Sequence, residues 1–335
     1  MRATKLILIE GIPGSGKSTT AQALAATIAA QRIAVRWWYE EEAAHPVYVF
    51  KDAATLAQVR DDLTHGRYRA IIDAALAQWR TFAALVTADE RVVVIDSCLF
   101  GYLTWSLFPL ELPDAEIRGY ITDVLRIIAP LQPALIYLRQ GDIARSLTRI
   151  CARRGGKTEA HLTRQGTESP YGRRMGLHGF AGMVGYWTAY RELTDAACAA
   201  ADLPTLTIDT TAGEWDRYLQ QAHRFLDLPT PARQAAPTAS LARYVGSYRY
   251  TTLSAAGTAS LAVEDGVLLL DGVPQIWPRT PLLPQGANTF ALASLPFSIT
   301  FEEDAGGQIT QMRIAGPALL GGRLPTVCKR DEAEA

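Results

Sequence analysis

The sequence lacks the features that mark several specialised classes of protein. Its longest largely apolar stretches, such as residues 23–30 and 92–95, are far shorter than the roughly 20 residues of a membrane-spanning helix. The four cysteines are about 50 or more residues apart and form no C-x-x-C pair, and the five histidines form no H-E-x-x-H motif. We therefore expect no membrane-spanning helix, no zinc site and no disulfide framework.

The chain also has no excess of charge of either sign. Its 33 Lys and Arg residues face 34 Asp and Glu residues, which argues against a generally basic surface for binding nucleic acid. A hydrophobic content of 48% excludes wholesale disorder, and 335 residues suffice for one large or two ordinary domains. Only residues 6–9 are apolar before Glu10, too few for the core of a signal peptide, so a cytoplasmic protein is expected.

The first part of the chain has the pattern of an α/β domain. Up to about Leu228, short apolar runs alternate with long Ala-rich stretches, as in domains built on a parallel sheet. Strands are predicted at residues 6–9, 34–39, 92–95, 134–138 and 206–208. Helices are predicted at residues 18–31, 53–63, 70–86, 114–128, 143–153, 181–201 and 214–226.

The second part has a different texture. Residues 229–240 contain three prolines and no apolar periodicity, which indicates a linker. Beyond it, short alternating runs separated by glycine-containing turns predict an antiparallel β domain. Its strands are predicted at residues 244–250, 259–263, 267–270, 290–292, 297–301 and 309–314. The predicted organisation is thus a domain over 1–228, a Pro/Ala linker over 229–240 and a small β domain over 241–330.

A nucleotide-binding motif lies between the first predicted strand and helix. Residues 11–18 fit the pattern G-x-x-x-x-G-K-[ST], and the strand before and the helix after supply the context that the motif needs. Its backbone N–H groups can curl around phosphate oxygens, Lys17 can reach the β- and γ-phosphates, and Ser18 can bind Mg²⁺. The residues predicted to hold the nucleotide here are Gly11, Pro13, Gly14, Ser15, Gly16, Lys17, Ser18 and Thr19.

A carboxylate for the magnesium side is predicted at the end of the third strand. Asp96 follows the apolar run 92–95, where a P-loop domain places the acid that holds a metal-bound water. The alternative is an Asp that merely caps a helix. Ser97 follows instead of the second acid that motor-type ATPases use to activate water, which argues against such a machine.

A basic segment follows the fourth predicted strand. Between residues 145 and 174 eight Lys and Arg residues face only two glutamates, and Arg145, Arg149 and Arg153 recur every fourth residue on one helix face. With Arg154 they could bind a triphosphate, and Gly155-Gly156 could act as the hinge of a lid. The alternative is a solvated basic face.

Candidate acceptor-side residues end the second predicted strand. The sequence Trp37-Trp38-Tyr39 is followed by three carboxylates, Glu40, Glu41 and Glu42, at the edge where open α/β sheets bind ligands. One of these carboxylates could take a proton from an attacking hydroxyl, and the three are left as alternatives. A solvated acidic turn is the competing interpretation.

These motifs together resemble the P-loop kinases of the nucleoside and thymidylate kinase group. The resemblance rests on EGIPGSGKSTT at residues 10–20, the acidic strand end at 40–42, Asp96, and TRICARRGGKTE at 148–159. It implies a five-stranded parallel sheet in the order 2-3-1-4-5 with helices on both faces, ATP as donor, Mg²⁺ and an acidic base. These kinases usually have an Asp-Arg or Glu-Arg pair where this chain has Asp96-Ser97-Cys98, so their substrate does not carry over. The tail, at 243–248 and 290–307, resembles the small β domain appended to some β-lactamase-like hydrolases.

Three functions remain open at this point. The leading hypothesis is a kinase acting on a hydroxyl of a nucleoside-like or aminosugar-like molecule, because the three glutamates would repel an anionic acceptor. The second is a nucleoside monophosphate kinase, in which Arg67, Arg69, Arg118 or the lid would bind the acceptor phosphate. The third is an NTP-dependent switch whose output is the β domain. None of the three predicts a nucleic-acid or membrane partner, and the oligomeric state, including a homo-oligomer, stays open.

Overall fold

A parallel sheet organises the first part of the computed structural model, which describes residues 4–50, 52–230, 240–252 and 256–331. Its strands lie in the order β2-β3-β1-β4-β5, which confirms the predicted order. Every neighbouring pair is parallel, so all carboxyl ends share one edge. The strands are β1 (Leu6–Glu10), β2 (Val35–Trp38), β3 (Val92–Asp96), β4 (Ala134–Arg139) and β5 (Thr205–Asp209).

Helices cover both faces of this sheet. All five residues of β1 and of β3 are buried, and because successive side chains point to opposite faces, neither face is open to water. Buried polar pairs join neighbouring helices: Thr27 Oγ1 lies 2.9 Å from His223 Nε2, and Trp79 Nε1 donates to the Tyr120 hydroxyl at 3.1 Å. The helices are α1 (Lys17–Ala30), α2 (Ala53–Thr64), α3 (Tyr68–Ala88), α4 (Leu103–Leu107), α5 (Asp114–Ile128), α6 (Ile143–Arg154), α7 (Gly156–Thr167), α8 (Pro170–Arg174), α9 (Gly179–Ala199) and α10 (Trp215–Phe225).

The basic segment contains two helices that the sequence did not predict. α7 begins at Gly156, directly after the predicted hinge, and α8 follows at Pro170–Arg174. A Cβ on Gly166 of α7 would lie 3.1 Å from Tyr186 Cβ of α9, which is closer than side chains normally pack. The missing side chain therefore lets α7 pack closely on α9.

No described helix combines the length and the hydrophobicity that a bilayer crossing requires.

The second part of the chain is a closed antiparallel barrel of eight strands. Two of them, β9 and β13, were not predicted, because β9 contains two prolines and β13 is short and half charged. Closure itself was not predicted, and a closed barrel is not by itself diagnostic of the hydrolase tail that residues 243–248 resemble. The strands are β6 (Gly246–Thr251), β7 (Ala256–Glu264), β8 (Val267–Asp271), β9 (Thr280–Pro284), β10 (Thr289–Leu292), β11 (Ser298–Glu303), β12 (Ile309–Ala315) and β13 (Val327–Arg330).

The described residues form two compact units, and neither is one continuous stretch of chain. The first contains the residues up to 230 except 41–43, and the second contains 41–43 together with 240–331. Within the second unit, the Ala43 N–H donates to the Ala318 carbonyl at 2.8 Å, and the Leu320 N–H donates to the Glu41 carbonyl at 2.8 Å. The predicted linker, 229–240, lies mostly outside the described residues, so the predicted domain boundaries stay a prediction.

Candidate functional site

The glycine-rich loop between β1 and α1 has a backbone that side chains would not allow. Gly11, Gly14 and Gly16 have φ values of +149°, +80° and +93°, in the range that favours glycine. A Cβ on Gly11 would overlap the Leu138 carbonyl oxygen of β4 and lie 2.6 Å from Ser15 Oγ. Gly16 is the N-cap of α1. Because the helix begins at this point, the positive end of its dipole faces the loop. This is the geometry of a phosphate cradle.

Three side chains in or beside this loop, two of them buried and one half-buried, are suited to a nucleotide with its metal. Lys17 is 8% exposed, and its Nζ lies 3.4 Å from the Ile12 carbonyl, which leaves its charge inside the loop. The Ser18 hydroxyl hydrogen-bonds to the carboxylate of Asp96, which is fully buried at the end of β3. Ser18 and Asp96 were predicted on the metal side, and the structure brings them together.

Asp96 has the environment expected of a carboxylate that binds a metal ion. Its Oδ1 accepts the Glu40 N–H at 3.1 Å, whereas its buried Oδ2 has no hydrogen-bond partner within the described chain. Burial, and next the nearby Glu40 carboxylate, raise the pKa of Asp96 well above its usual value. No group of three or more His, Cys, Asp or Glu in the described ranges could hold a metal by itself. Ser18 and Asp96 thus fit Mg²⁺ that takes its other ligands from phosphate and water.

The three candidate base residues do not stay together. Glu40 lies beside Asp96 in the first unit, and its carbonyl accepts the Tyr48 hydroxyl at 2.6 Å. Glu41 and Glu42 belong to the second unit, where Glu42 forms an antiparallel bridge with Leu319. Glu40 is therefore the one of the three that the described geometry places next to Asp96.

Helix α6 presents its arginines on the side opposite to its packing face. Ile143, Leu147 and Ile150 are buried, whereas Arg145, Arg149 and Arg153 are exposed. A Cβ on Gly14 would lie 3.1 Å from Ile150 Cβ, which shows that α6 packs directly on the phosphate loop.

Arg149 of α6 contacts the loop that follows β5, and Arg153 and Arg154 end the helix. Arg149 donates to the Thr211 carbonyl at 2.6 Å, and Arg145 lines a shallow groove with Thr148, Arg149 and Ala152. Arg153 and Arg154 occupy the last turn, before Gly155 with φ +85°. The predicted hinge thus coincides with the break between α6 and α7. The roles of the four arginines toward phosphate stay predictions.

A buried polar network that the sequence did not reveal supports the phosphate loop from below. Gln140, after β4, donates to the Gly14 carbonyl at 3.3 Å and to the Thr210 hydroxyl at 3.1 Å. Thr210 in turn donates to the Ser15 carbonyl at 3.1 Å, and Ser146 of α6 bonds to Gln140. These contacts tie the loop to the ends of β4 and β5. No spacing rule connects residues so far apart in sequence.

Glu10 is a further residue whose structural role sequence reasoning missed. It ends β1, is fully buried, and accepts hydrogen bonds from three consecutive backbone N–H groups after β3. Burial raises the pKa of Glu10 to about 7, although these three bonds and Lys17 act in the opposite direction. The available signal was a charged residue at the end of an apolar strand, the same signal that identified Asp96.

An aromatic cluster lies beside Glu40 and Asp96. The Tyr48 ring stacks on His45 at 4.3 Å and on Tyr102 at 4.2 Å between centroids, and Phe50 lies at 5.0 Å from Tyr48. Tyr102 accepts the Val49 N–H at 2.6 Å. His45 is fully buried among these rings, so it forms part of the wall of the site and is not an exposed ligand.

The arginines considered for an anionic acceptor are occupied elsewhere. Each is exposed on α3, on α5 or just before α3, and each forms an ion pair with an acid on a helix. The pairs are Arg67 with Asp61 and Asp62 at 2.7 Å, Arg69 with Glu116 at 2.6 Å, and Arg118 with Asp114 at 3.7 Å. None of these contacts directs a guanidinium group toward Glu40 or Asp96.

Comparison with known proteins gives little beyond this geometry. No protein-family model matches the chain. No curated protein matches it either. Among solved structures, the thymidylate kinase from Ehrlichia chaffeensis is similar over 67% of this chain and 99% of that chain, with 11% identity and a TM-score of 0.36. A likeness this weak does not establish a shared family or a shared substrate.

Proposed function

We propose that this chain is an ATP-dependent kinase that transfers the γ-phosphoryl group to a hydroxyl of a small molecule. The observation that carries the proposal is the set of buried Lys17, half-buried Ser18 and buried Asp96 at a loop with three glycines of positive φ. A cation, a hydroxyl and a carboxylate at the carboxyl edge of a parallel sheet match the needs of a bound Mg-nucleotide.

The donor side follows from the loop. Its backbone N–H groups and Lys17 would hold the β- and γ-phosphates, and Ser18 and Asp96 would hold Mg²⁺. When bound, the ion would supply charge neutralisation of the triphosphate. Arg145 and Arg149 of α6, with Arg153 and Arg154 one turn further on, would stabilise the charge that spreads over the transferred group.

The acceptor side supplies the base. Glu40 would take the proton of the acceptor hydroxyl as the acceptor oxygen forms its bond to the γ-phosphorus. The bond between that phosphorus and the β–γ bridging oxygen breaks in the same step, and ADP leaves. The Asp96 hydrogen bond to the Glu40 N–H holds the two carboxylate-bearing segments together while this happens.

The electrostatics favour an acceptor that is neutral or positively charged. The Glu40 and Asp96 carboxyl groups lie side by side, and Lys17 is the cation that acts on Asp96. A monophosphate would add about two negative charges, each repelled by a carboxylate at 4 Å by about 1 kcal/mol in water and more in the interior. Arg67, Arg69 and Arg118 form ion pairs with acids on helices, and none of these pairs is directed toward Glu40 or Asp96. A nucleoside-like or aminosugar-like alcohol fits better.

The test is a screen of alcohols, nucleosides, aminosugars and nucleoside monophosphates for ATP- and Mg²⁺-dependent phosphorylation, followed by mass spectrometry. Lys17→Ala should lower turnover of any positive compound by about 10² to 10³. Lys5→Ala, at the opposite end of β1, where Lys5 donates to the Asp89 carbonyl, is the matched control and should keep the wild-type rate. Lys17→Ala with more than half of the wild-type rate, or ATP hydrolysis that no acceptor stimulates, would refute the proposal.

A further inference from the structure

The Glu10 carboxylate fills a backbone anion site of the protein itself. Its Oε1 accepts the N–H groups of Cys98 at 2.9 Å and Leu99 at 2.7 Å, and its Oε2 accepts the N–H of Phe100 at 3.1 Å. Three consecutive N–H groups that converge on one anion form a nest, the device by which backbone loops bind phosphate. Here the group bound in the nest is the Glu10 side chain of the protein itself.

The shape of the turn that forms this nest depends on hydrogen-bond acceptors inside it. Ser97 has φ +61°, which reverses the chain after β3, and its N–H donates to the Ile9 carbonyl at 2.9 Å. Gly101 closes the turn so tightly that a Cβ there would overlap Ser97. The N–H groups of residues 98–100 therefore point inward, and without Glu10 they would be buried donors with no acceptor, which is costly.

Both ends of the turn reach the backbone of Glu40. At the start of the turn, Asp96 Oδ1 accepts the Glu40 N–H at 3.1 Å. At its end, Tyr102 stacks on Tyr48, and the Tyr48 hydroxyl donates to the Glu40 carbonyl at 2.6 Å. The turn held by Glu10 thus contacts the peptide groups on either side of the Glu40 side chain.

We propose that Glu10 is a positioning residue for phosphoryl transfer, because it holds residues 97–102 in the conformation that places Glu40 beside Asp96. This inference rests on the proposed function, in which Glu40 is the base. Glu10 itself touches neither donor nor acceptor in this scheme. Its effect passes through Glu40, which separates it from a residue that merely stabilises the fold.

The first measurement does not depend on activity. In Glu10→Gln the side-chain length is kept, but the amide NH₂ group cannot accept the third N–H bond. Hydrogen exchange of the full chain should become faster at residues 97–102 and at 48–49, and should stay unchanged in α1. The exposed Glu90→Gln is the matched control and should leave both regions unchanged. Exchange at 97–102 equal to wild type would overturn the inference.

The second measurement is a double-mutant cycle with an acceptor found in the screen. Glu10→Gln should lower kcat by roughly 10- to 100-fold, because small displacements of a catalytic group are costly, while the Kd of ATP changes less than about threefold. In a Glu40→Gln background the same change should have little further effect, since the group that Glu10 positions is already disabled. Equal, additive losses in both backgrounds would overturn the inference.

The outcomes also separate this inference from the proposed function. A Glu40→Gln variant with wild-type kcat, together with altered exchange in Glu10→Gln, would remove Glu40 as the base and with it the positioning role. If Glu10→Gln fails to fold, Glu10→Asp serves in its place. The shorter acid keeps the charge but cannot span the same three N–H groups, so the same exchange and kinetic results are expected of it.

Discussion

The buried Glu10 predicts a pH dependence of stability that a single substitution removes. Burial raises the pKa of this carboxyl from 4.5 to about 7 in the folded chain, whereas in the unfolded chain it returns to its ordinary value. The folded state therefore holds the Glu10 proton more tightly than the unfolded state. Its contribution to stability is complete below pH 4.5 and is lost as the pH rises to about 7.

The size of this effect follows from the shift. A difference of about 2.5 pH units at 1.36 kcal/mol per unit amounts to about 3 kcal/mol. Wild type should thus lose about 3 kcal/mol of unfolding free energy between pH 4.5 and pH 8 relative to Glu10→Gln, which has no proton to release. The raised pKa of Asp96 gives a trend of the same sign, but it is present in both proteins and cancels in the difference.

Urea unfolding followed by tryptophan fluorescence can measure this difference. Six of the seven tryptophans precede residue 231 and lie in the first unit, so the signal reports mainly on the unit that contains Glu10. Both proteins would be unfolded at several pH values from 5 to 8 at constant ionic strength. A difference in unfolding free energy that stays constant within about 0.5 kcal/mol over this range would refute the assignment of a shifted carboxyl.

Two further predictions concern the phosphate loop and the basic segment. Gly11→Ala should destabilise the chain by about 2–6 kcal/mol, because its φ is positive and a Cβ would overlap the Leu138 carbonyl. The control Gly119→Ala, at an exposed position in α5, should stabilise the chain by about 0.5–1 kcal/mol. Equal urea midpoints for the two variants would contradict this prediction. ATP with Mg²⁺ should slow tryptic cleavage between Arg145 and Arg174, because cations exposed on α6 would close onto phosphate, and cleavage at an unchanged rate would count against the lid.

The glycine-rich loop between β1 and α1 could be located from the sequence because its pattern is local. A strand, five loop residues, a glycine, a lysine and a helix follow one another within residues 6–30, and each step restricts the next. The predicted strands of the sheet likewise agree with the structure to within about two residues at each end, since buried parallel strands are short apolar runs. The order of the strands came from the resemblance to known kinases, not from the pattern.

The features that escaped prediction depend on long-range contacts. Glu10 lies 88 residues from Cys98, and a charged residue after an apolar run looks the same in sequence whether it faces water or a nest. Helix α7, with the sequence GKTEAHLTRQGT, buries only Leu162 and Gly166, too few residues to give a recognisable apolar period. β9 contains Pro281 and Pro284, which weaken the sequence pattern of a strand, yet it pairs with both β8 and β10.

The pairing of Glu41–Ala43 with residues 318–320 has a consequence for the order in which the protein is made. After a ribosome has added Ala43 to the nascent chain, it must still synthesise the residues up to Ala318. This takes on the order of tens of seconds at roughly 5–20 residues per second. Until then the native hydrogen-bond partners of the Glu41 and Ala43 peptide groups have not been synthesised. The segment that directly follows Glu40 therefore acquires its native partners near the end of translation, long after the phosphate loop has emerged from the exit tunnel.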